Sequence, residues 1–284
     1  MMDYPLPLAK MWRVIRAHFS DVLQTLRLSG FLAIGCATKW KRATISNAML
    51  DELRERCPNI TELCLSHTNL NTSKGVESKR FPPKLKVLKI QHSQVPCCMT
   101  WLSGGKEGSL LPELQELDFS NSSAVNVHTL TAFGPRDNLK VLRLNGCYRL
   151  TGSLYENLFD NFPNLVILEI AETSVSDTML HQMCRKLTNL RHLHMAQSRQ
   201  VTDAGIHCMS EGLKNLRWLN LAHCHKVTFE GFRGLAKLNL AYLSVAGNQL
   251  TENELKILEG AFKNCEVVHT DPHDNSSDGG SEEG

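Results

Sequence analysis

LRHLHMAQSRQVTDAGIHCMSEGLKNLRWLNL, residues 190–221, holds one full period of a pattern that runs through the chain. It opens on Leu190, Leu193 and Met195 and returns 26 residues later on Leu216, Leu219 and Leu221. Outward from this stretch the same spacing, with conservative swaps, falls at Leu165/Leu168/Ile170, Leu139/Leu142/Leu144, Leu114/Leu117/Phe119 and Leu85/Leu88/Ile90. It continues at Ile60/Leu63/Leu65 and Leu23/Leu26/Leu28 toward the N-terminus, and at Leu240/Leu243/Val245 toward the C-terminus. A worn tenth copy is Cys265/Val268. Successive first positions lie 37, 25, 29, 25, 26, 25, 26, 24 and 25 residues apart, a regularity that chance does not produce.

In a strand, alternate side chains face opposite sides. The last two apolar residues of each triplet therefore point together into a core, and the residues between them point out. The remainder of each unit returns the chain across the back. Residues 176–187 (SDTMLHQMCRKL) read as a helix with Ser176 as N-cap and Met179, Leu180, Met183 and Leu187 on one face. Residues 251–262 open on a capping box, Thr251 with Glu254, followed by Leu255, Leu258 and Phe262. Pro58, Pro83, Pro112 and Pro163 stand shortly before strands, where they stop a helix from running on. One unit cannot bury its apolar face alone, so stacking must do it. The expected fold is α/β: a leucine-rich-repeat solenoid, curved, with parallel strands on the concave face and helices on the convex face.

Three segments are expected. Residues 1–22 form an N-terminal helical cap, with Leu8, Met11, Trp12, Ile15, Phe19 and Val22 near one face. A membrane-surface helix is the alternative there, through Lys10, Arg13 and Arg16. Residues 23–270 form the repeat domain. Residues 271–284, with five acids and no large apolar side chain, form a disordered tail. The long first interval reads as an exposed loop at Lys39-Trp40-Lys41-Arg42 before a helix carrying Met49, Leu50 and Leu53. Residues 71–80 and 103–109 read as polar loops.

Several units share a further signature after the strand: a small residue, then Cys or a polar equivalent, then a Val/Leu-Thr step into the helix. NGCYRLTGSL (145–154), AQSRQVTDAGI (196–206), AHCHKVTFEGF (222–232) and AGNQLTENEL (246–255) show it. The key position is Cys147, Thr173, Ser198, Cys224 and Asn248, whose side chains can meet backbone groups of neighbouring turns or pack as small buried groups. These units, with MWRVIRAHFSDVLQTLRLSGFL (11–32) and LDELRERCPNITELCL (50–65), resemble the F-box/leucine-rich-repeat family. The resemblance is clearest over residues 10–150 and looser to about 268. It implies a non-catalytic receptor of an SCF-type ubiquitin ligase. In that family the F-box binds a Skp adaptor that links to cullin, and the repeats present the target for ubiquitination and proteasomal degradation. An F-box is a helical segment of about forty-odd residues opening on Leu-Pro. Here Leu6-Pro7 is the only such pair before residue 111, and no room remains for the module before Leu23. Skp and cullin are therefore expected as partners only through a fuller isoform. The alternative is a stand-alone interaction scaffold or inhibitor not coupled to ubiquitin.

The second and fourth residues after each first leucine should point out from the concave face. Over the last three full units they are His192 and His194, Trp218 and Asn220, Tyr242 and Ser244, an aromatic and polar patch suited to anchoring a protein target. Val87, Val141 and Ile167 add an apolar strip, and Arg143 and Glu169 lie beside it. Loops or the tail covering these residues is the competing explanation. The acidic tail is also a candidate decoy for an acidic ligand near Arg27, Lys89 or Arg143.

No catalytic residues, metal or cofactor are expected. GxxxxGK[ST] and GxSxG are absent. His192, His194, His223 and His225 are the histidines to weigh as metal ligands, and Cys97-Cys98 has no paired CxxC elsewhere. MMDYPLPLAKMW has no long apolar stretch, so neither a signal peptide nor a membrane partner is expected, and the cysteines should stay reduced. Basic residues are scattered among acids at a net charge of +2, so no nucleic acid is expected. A monomer in the cytoplasm, the nucleus or both is the expected state.

Overall fold

The computed structural model describes residues 12–13, 16–34, 39–71, 76–96, 111–131, 134–150 and 158–270. Leu8, Met11 and Ile15 of the expected cap, the 103–109 loop, Cys97-Cys98 and the tail 271–284 lie outside them. The chain divides into two compact units, Met1–Leu168 and Glu169–Gly284.

In the first unit, β1 (Thr25–Ser29) is followed by β2 (Phe31–Ile34) and β3 (Lys39–Thr44). Then come α1 (Asn47–Arg56), β4 (Glu62–Ser66), β5 (Thr68–Asn69), β6 (Val87–Lys89), β7 (Glu116–Asp118), α2 (Val127–Thr131) and β8 (Val141–Arg143). Strands β1, β4, β6, β7 and β8 pair in parallel in that order, with Leu26, Leu63, Leu88, Leu117 and Leu142 in register. Strand β9 (Ile167–Glu169) stands at the boundary. The second unit repeats the plan: α3 (Asp177–Lys186), β10 (His192–His194), α4 (Asp203–Gly212), β11 (Trp218–Asn220), α5 (Phe229–Gly234), β12 (Tyr242–Ser244), α6 (Glu252–Ala261) and β13 (Glu266–Val268). Its strands β10 to β13 pair in parallel, with Leu193, Leu219, Leu243 and Val267 in register. The worn tenth copy is thus a paired strand. The leucine-rich-repeat fold expected from the spacing is present.

The core rows are those of the repeat. Leu63, Leu65, Leu88, Ile90, Leu117 and Phe119 are fully buried in the first unit, and Leu193, Met195, Leu219 and Leu221 in the second. The helices read from sequence within 176–187 and 251–262 are observed, as is the one carrying Met49, Leu50 and Leu53. Ser176 accepts from the Met179 amide, and the Thr251–Glu254 capping box is closed on both sides.

Three devices tie one turn to the next. An Asn just before the first leucine donates to a carbonyl of the preceding turn: Asn59 to Asp21, Asn138 to Pro112, Asn164 to Asp137 and Asn215 to Thr188, at 2.7 to 3.0 Å. The Cys-type position is a longer column than the sequence showed. Ser93 donates to Leu65 O (2.9 Å), Ser122 to Ile90 O (2.7 Å), Cys147 to Phe119 O (3.2 Å), Cys224 to Met195 O (3.4 Å) and Asn248 to Leu221 O (2.9 Å). Thr173 bonds to Ile170 O of its own turn (2.6 Å), and the buried Ser198 hydroxyl has no partner. Finally, the Asp177 carboxylate receives the Thr202 amide (2.9 Å) and hydroxyl (2.6 Å), and Asp203 does the same for Thr228 (2.8 and 2.6 Å).

One further column was invisible in the sequence. The residue two positions after the last apolar residue of each triplet has positive φ in turn after turn: His67, His92, Asn121, Gly146, Glu172, Gln197, His223 and Gly247. That conformation strains any residue with a Cβ. It persists because it aims the amide at the next turn, as from His67 to Gln91 O, Asn121 to Asn145 O, Gln197 to Ala222 O and His223 to Ala246 O. Gly146 and Gly247 have a second reason. A Cβ there would overlap the Asn121 side chain and the His223 ring respectively.

Two expectations need correction. Lys39-Trp40-Lys41-Arg42 is no loop but part of β3, paired antiparallel with β2 and, through Ala43 and Thr44, parallel with β5. The long first interval is used for this hairpin, and Arg42 Nε donates to His92 O (2.9 Å). Within the cap, Phe19 is buried against Trp12, and Arg16 pairs with Glu52 of α1 (2.7 Å). Val22, however, is 79% exposed, because the chain has turned toward β1 by then. Of the expected 71–80 loop, Ser78–Arg80 forms a 3-10 turn.

Candidate functional site

Parallel strands in register place equivalent side chains about 4.8 Å apart. In the second unit that spacing suits flat rings. His192, Trp218 and Tyr242 are register partners on β10, β11 and β12. Their rings stack face to face: His192 on Trp218 at 3.8 Å and 4°, Trp218 on Tyr242 at 4.7 Å and 3°. Both faces of the indole are thereby occupied. What a partner can meet is the row of ring edges, all half-buried, rather than an open aromatic face.

The neighbouring row differs from the expectation. His194 sits edge-on to Trp218 at 6.0 Å and is half-buried. Burial lowers its pKa below the usual imidazole range, against the raising pull of Glu169 and Glu172. Its Nδ1 is buried with no hydrogen-bond partner. The Asn220 side-chain oxygen accepts the Ala222 amide (2.9 Å) and so shapes the turn after the strand. Ser244, expected on the open face, is buried at 4% exposure, and its side chain is hydrogen-bonded with that of Tyr242 on the same strand. Asp118, in the same place on β7, is likewise buried and accepts from the Ser120 amide (2.9 Å). The fourth position of the motif is therefore partly consumed by turn formation. Burial also raises the pKa of Tyr242.

On the first unit's strand face, Val87, Val141 and Ile167 are half-buried. Val87 and Val141 do not form a continuous strip, because Glu116 stands between them in register. Glu116 pairs with Lys89 (2.9 Å) and with Arg143 (2.5 Å). Burial pushes its carboxyl up, but the two cations outweigh this and hold it below the ordinary value. The Arg143 expected to meet a partner is therefore already engaged inside the face. Glu169 is half-buried at the head of the second unit.

Elsewhere, the described cysteines are free thiols. Burial pushes Cys147 and Cys184 up to about 12 and Cys224 to about 11, which suits packing rather than nucleophilic chemistry. No group of three or more His, Cys, Asp or Glu among the described residues is arranged to hold a metal ion. No helix among them is long and apolar enough to cross a membrane. Sequence reading missed Gln197 and Arg199, which line a recess of about 300 Å³ with His223 and His225. The signal was the positive-φ column, which side-chain identity does not announce.

No family model matches the chain. It is similar to F-box/LRR-repeat protein 12 of Bos taurus and of Homo sapiens, each 26% identical over 186 residues, and to the Mus musculus protein at 25%. The aligned part is 65% of this chain and 54% of each of those proteins, so the chain spans about half the length of the curated relatives it matches. Over that part the chain is similar to F-box/LRR-repeat proteins at modest identity. A chain in the crystal structure of the Rad7 and Elc1 complex from yeast shares the fold, with a TM-score of 0.51, 19% identity, and coverage of 80% of this chain and 67% of that one.

Proposed function

We propose that this chain is the recognition part of an SCF-type ubiquitin ligase receptor, holding a target protein against its strand face for ubiquitination and degradation. The stacked row His192–Trp218–Tyr242 carries the reading. Aromatic side chains held rigid before a partner arrives lose little freedom on binding, and Trp and Tyr are frequent anchors at interfaces. The similarity to F-box/LRR-repeat protein 12 supports the link to ubiquitin transfer. The role is non-catalytic: the chain positions a partner, and the chemistry belongs to other subunits. Val87, Val141 and Ile167 on the first unit's face are secondary candidates for partner contact, with Glu169 on the second. A Skp adaptor and cullin join through an F-box where the protein carries one.

The second reading, a scaffold or inhibitor without delivery to ubiquitin, is separated by one experiment. Proteins captured by the wild-type chain and lost with Trp218→Ala/Tyr242→Ala are followed in cells depleted of the protein. Accumulation of such a target, with fewer ubiquitin conjugates on it, supports the receptor. Unchanged turnover of every captured protein supports the scaffold. Full capture by the double variant refutes the aromatic row as the grip under either reading.

A further inference from the structure

The recess beyond the ends of β10 and β11 has an unusual lining: Gln197, Arg199, His223 and His225, all able to donate hydrogen bonds and none of them a carboxylate. Its walls are fixed by the fold. Gln197 and His223 occupy successive positions of the positive-φ column, at φ 60° and 56°, so two adjacent turns aim their side chains along the same edge. Their amides are anchored to Ala222 O and Ala246 O at 2.8 Å. The His223 ring lies where a Cβ on Gly247 would be, and a glycine at that place leaves it room. His225 meets His223 edge to face at 5.9 Å. Arg199 and His225 are exposed, and neither has an acidic partner among the described residues.

We infer that this recess is a binding site for a phosphate monoester carried on a protein. Such a group brings about −1.5 to −2 charges at pH 7 and three acceptor oxygens. The guanidinium fork of Arg199 matches two of those oxygens, and the His225 ring N–H and the Gln197 amide complete the donor set, with the His223 ring forming the wall beside them. One compact dianion suits one compact recess. A nucleic-acid backbone does not: Glu172 occupies the same column one turn before Gln197, and Glu169 lies in the turn that precedes it, so a continuing run of phosphates would meet acids. The site is separate from the aromatic row, so its test is separate as well.

The imidazole C–H resonances of His223 and His225 report binding directly in proton NMR spectra of the whole chain. The probes are acetyl-glycyl-phosphoseryl-glycine amide, its unphosphorylated form, inorganic phosphate, and an eight-residue oligouridylate. The phosphopeptide should shift both resonances saturably, and the unphosphorylated peptide should not. Arg199→Gln should weaken the phosphopeptide about tenfold or more and His225→Gln about threefold. Trp218→Ala should leave its affinity unchanged. Arg199 and His225 are exposed, so both variants should keep the wild-type circular dichroism spectrum and urea midpoint. Absence of saturation overturns the inference, as does an affinity untouched by Arg199→Gln. Binding of inorganic phosphate without the phosphopeptide would mean a free-anion site. Tighter, Arg199-dependent binding of the oligouridylate would mean a nucleic-acid site. Either result also overturns it.

Discussion

Replacing Gly231 with Ala should destabilise the second unit, although alanine is the better helix former. Gly231 is the third residue of α5, and a Cβ there would overlap the Asp203 carboxylate and come within 3.0 Å of Val227 Cγ1. That carboxylate holds the Thr228 amide at 2.8 Å and its hydroxyl at 2.6 Å. Helix propensity favours Ala by about 1 kcal/mol. Against it stands the displacement of a charged acceptor with two hydrogen bonds, each worth about 1.5 kcal/mol at the low end, the end appropriate here because Thr228 is exposed. The net expectation is a loss of about 1–2 kcal/mol. Asp203→Ala should lose about 2–3 kcal/mol, since it removes the same bonds and an acid from the first turn of α4. In the double variant the carboxylate is gone, so the Gly231→Ala change contributes its helix gain with little obstruction. The total loss should then be about 1–2 kcal/mol, well short of the sum of the singles. Equilibrium urea unfolding followed by circular dichroism reads all three, with midpoints compared at constant slope. Additivity within about 0.5 kcal/mol would refute the interlock, and with it the explanation of why Thr-x-x-Gly recurs at 202–205 and 228–231, each against an Asp of the preceding turn.

Other consequences follow from single side chains. Ser122→Ala should lose about 1–3 kcal/mol, because the buried Ile90 carbonyl loses its 2.7 Å donor, while Ser198→Ala, whose hydroxyl has no partner, should stay within about 0.5 kcal/mol of wild type. Chemical unfolding of the two side by side decides it. The depressed pKa of His194 means that the unfolded chain takes up a proton first, at the ordinary value of 6.5, while the folded chain resists. Stability should therefore fall as pH drops from 6.5 through the folded value. His67, depressed by burial and by the neighbouring His92 and Arg42, adds to the same slope. Urea midpoints taken down the acid side should fall less steeply in His194→Gln; an unchanged slope would count against a buried, neutral His194. In the native protein at about pH 8, iodoacetamide should leave Cys147, Cys184 and Cys224 unmodified and react with the part-exposed Cys208, as read by peptide mass spectrometry. Rapid labelling of Cys147 or Cys224 would mean that these turns open readily.

The strand positions, the core rows and the capped helices at 177–186 and 252–261 were legible because each depends on spacing within one turn of chain. Leu193 and Met195 must be buried whatever their neighbours are, since alternation along a strand puts them on one side. The outward patch was legible for the same reason, but only as a list of residues. That Trp218 is sandwiched rather than open, and that Ser244 and Asp118 are buried, depends on what the neighbouring turns place about 4–5 Å away. The pairing of β3 with Thr68–Asn69 escaped notice because it is a distant contact without local signature. The positive-φ column escaped because histidine, asparagine, glutamate and glutamine do not advertise that conformation as glycine does. By itself, then, the sequence determined the period, the buried face and the places where helices begin, because these follow from side-chain spacing along one segment. The tertiary structure alone decided which outward groups meet, which are spent on turns, and where Arg199, His223 and His225 gather, because hydrogen bonds from one turn to the next set those directions.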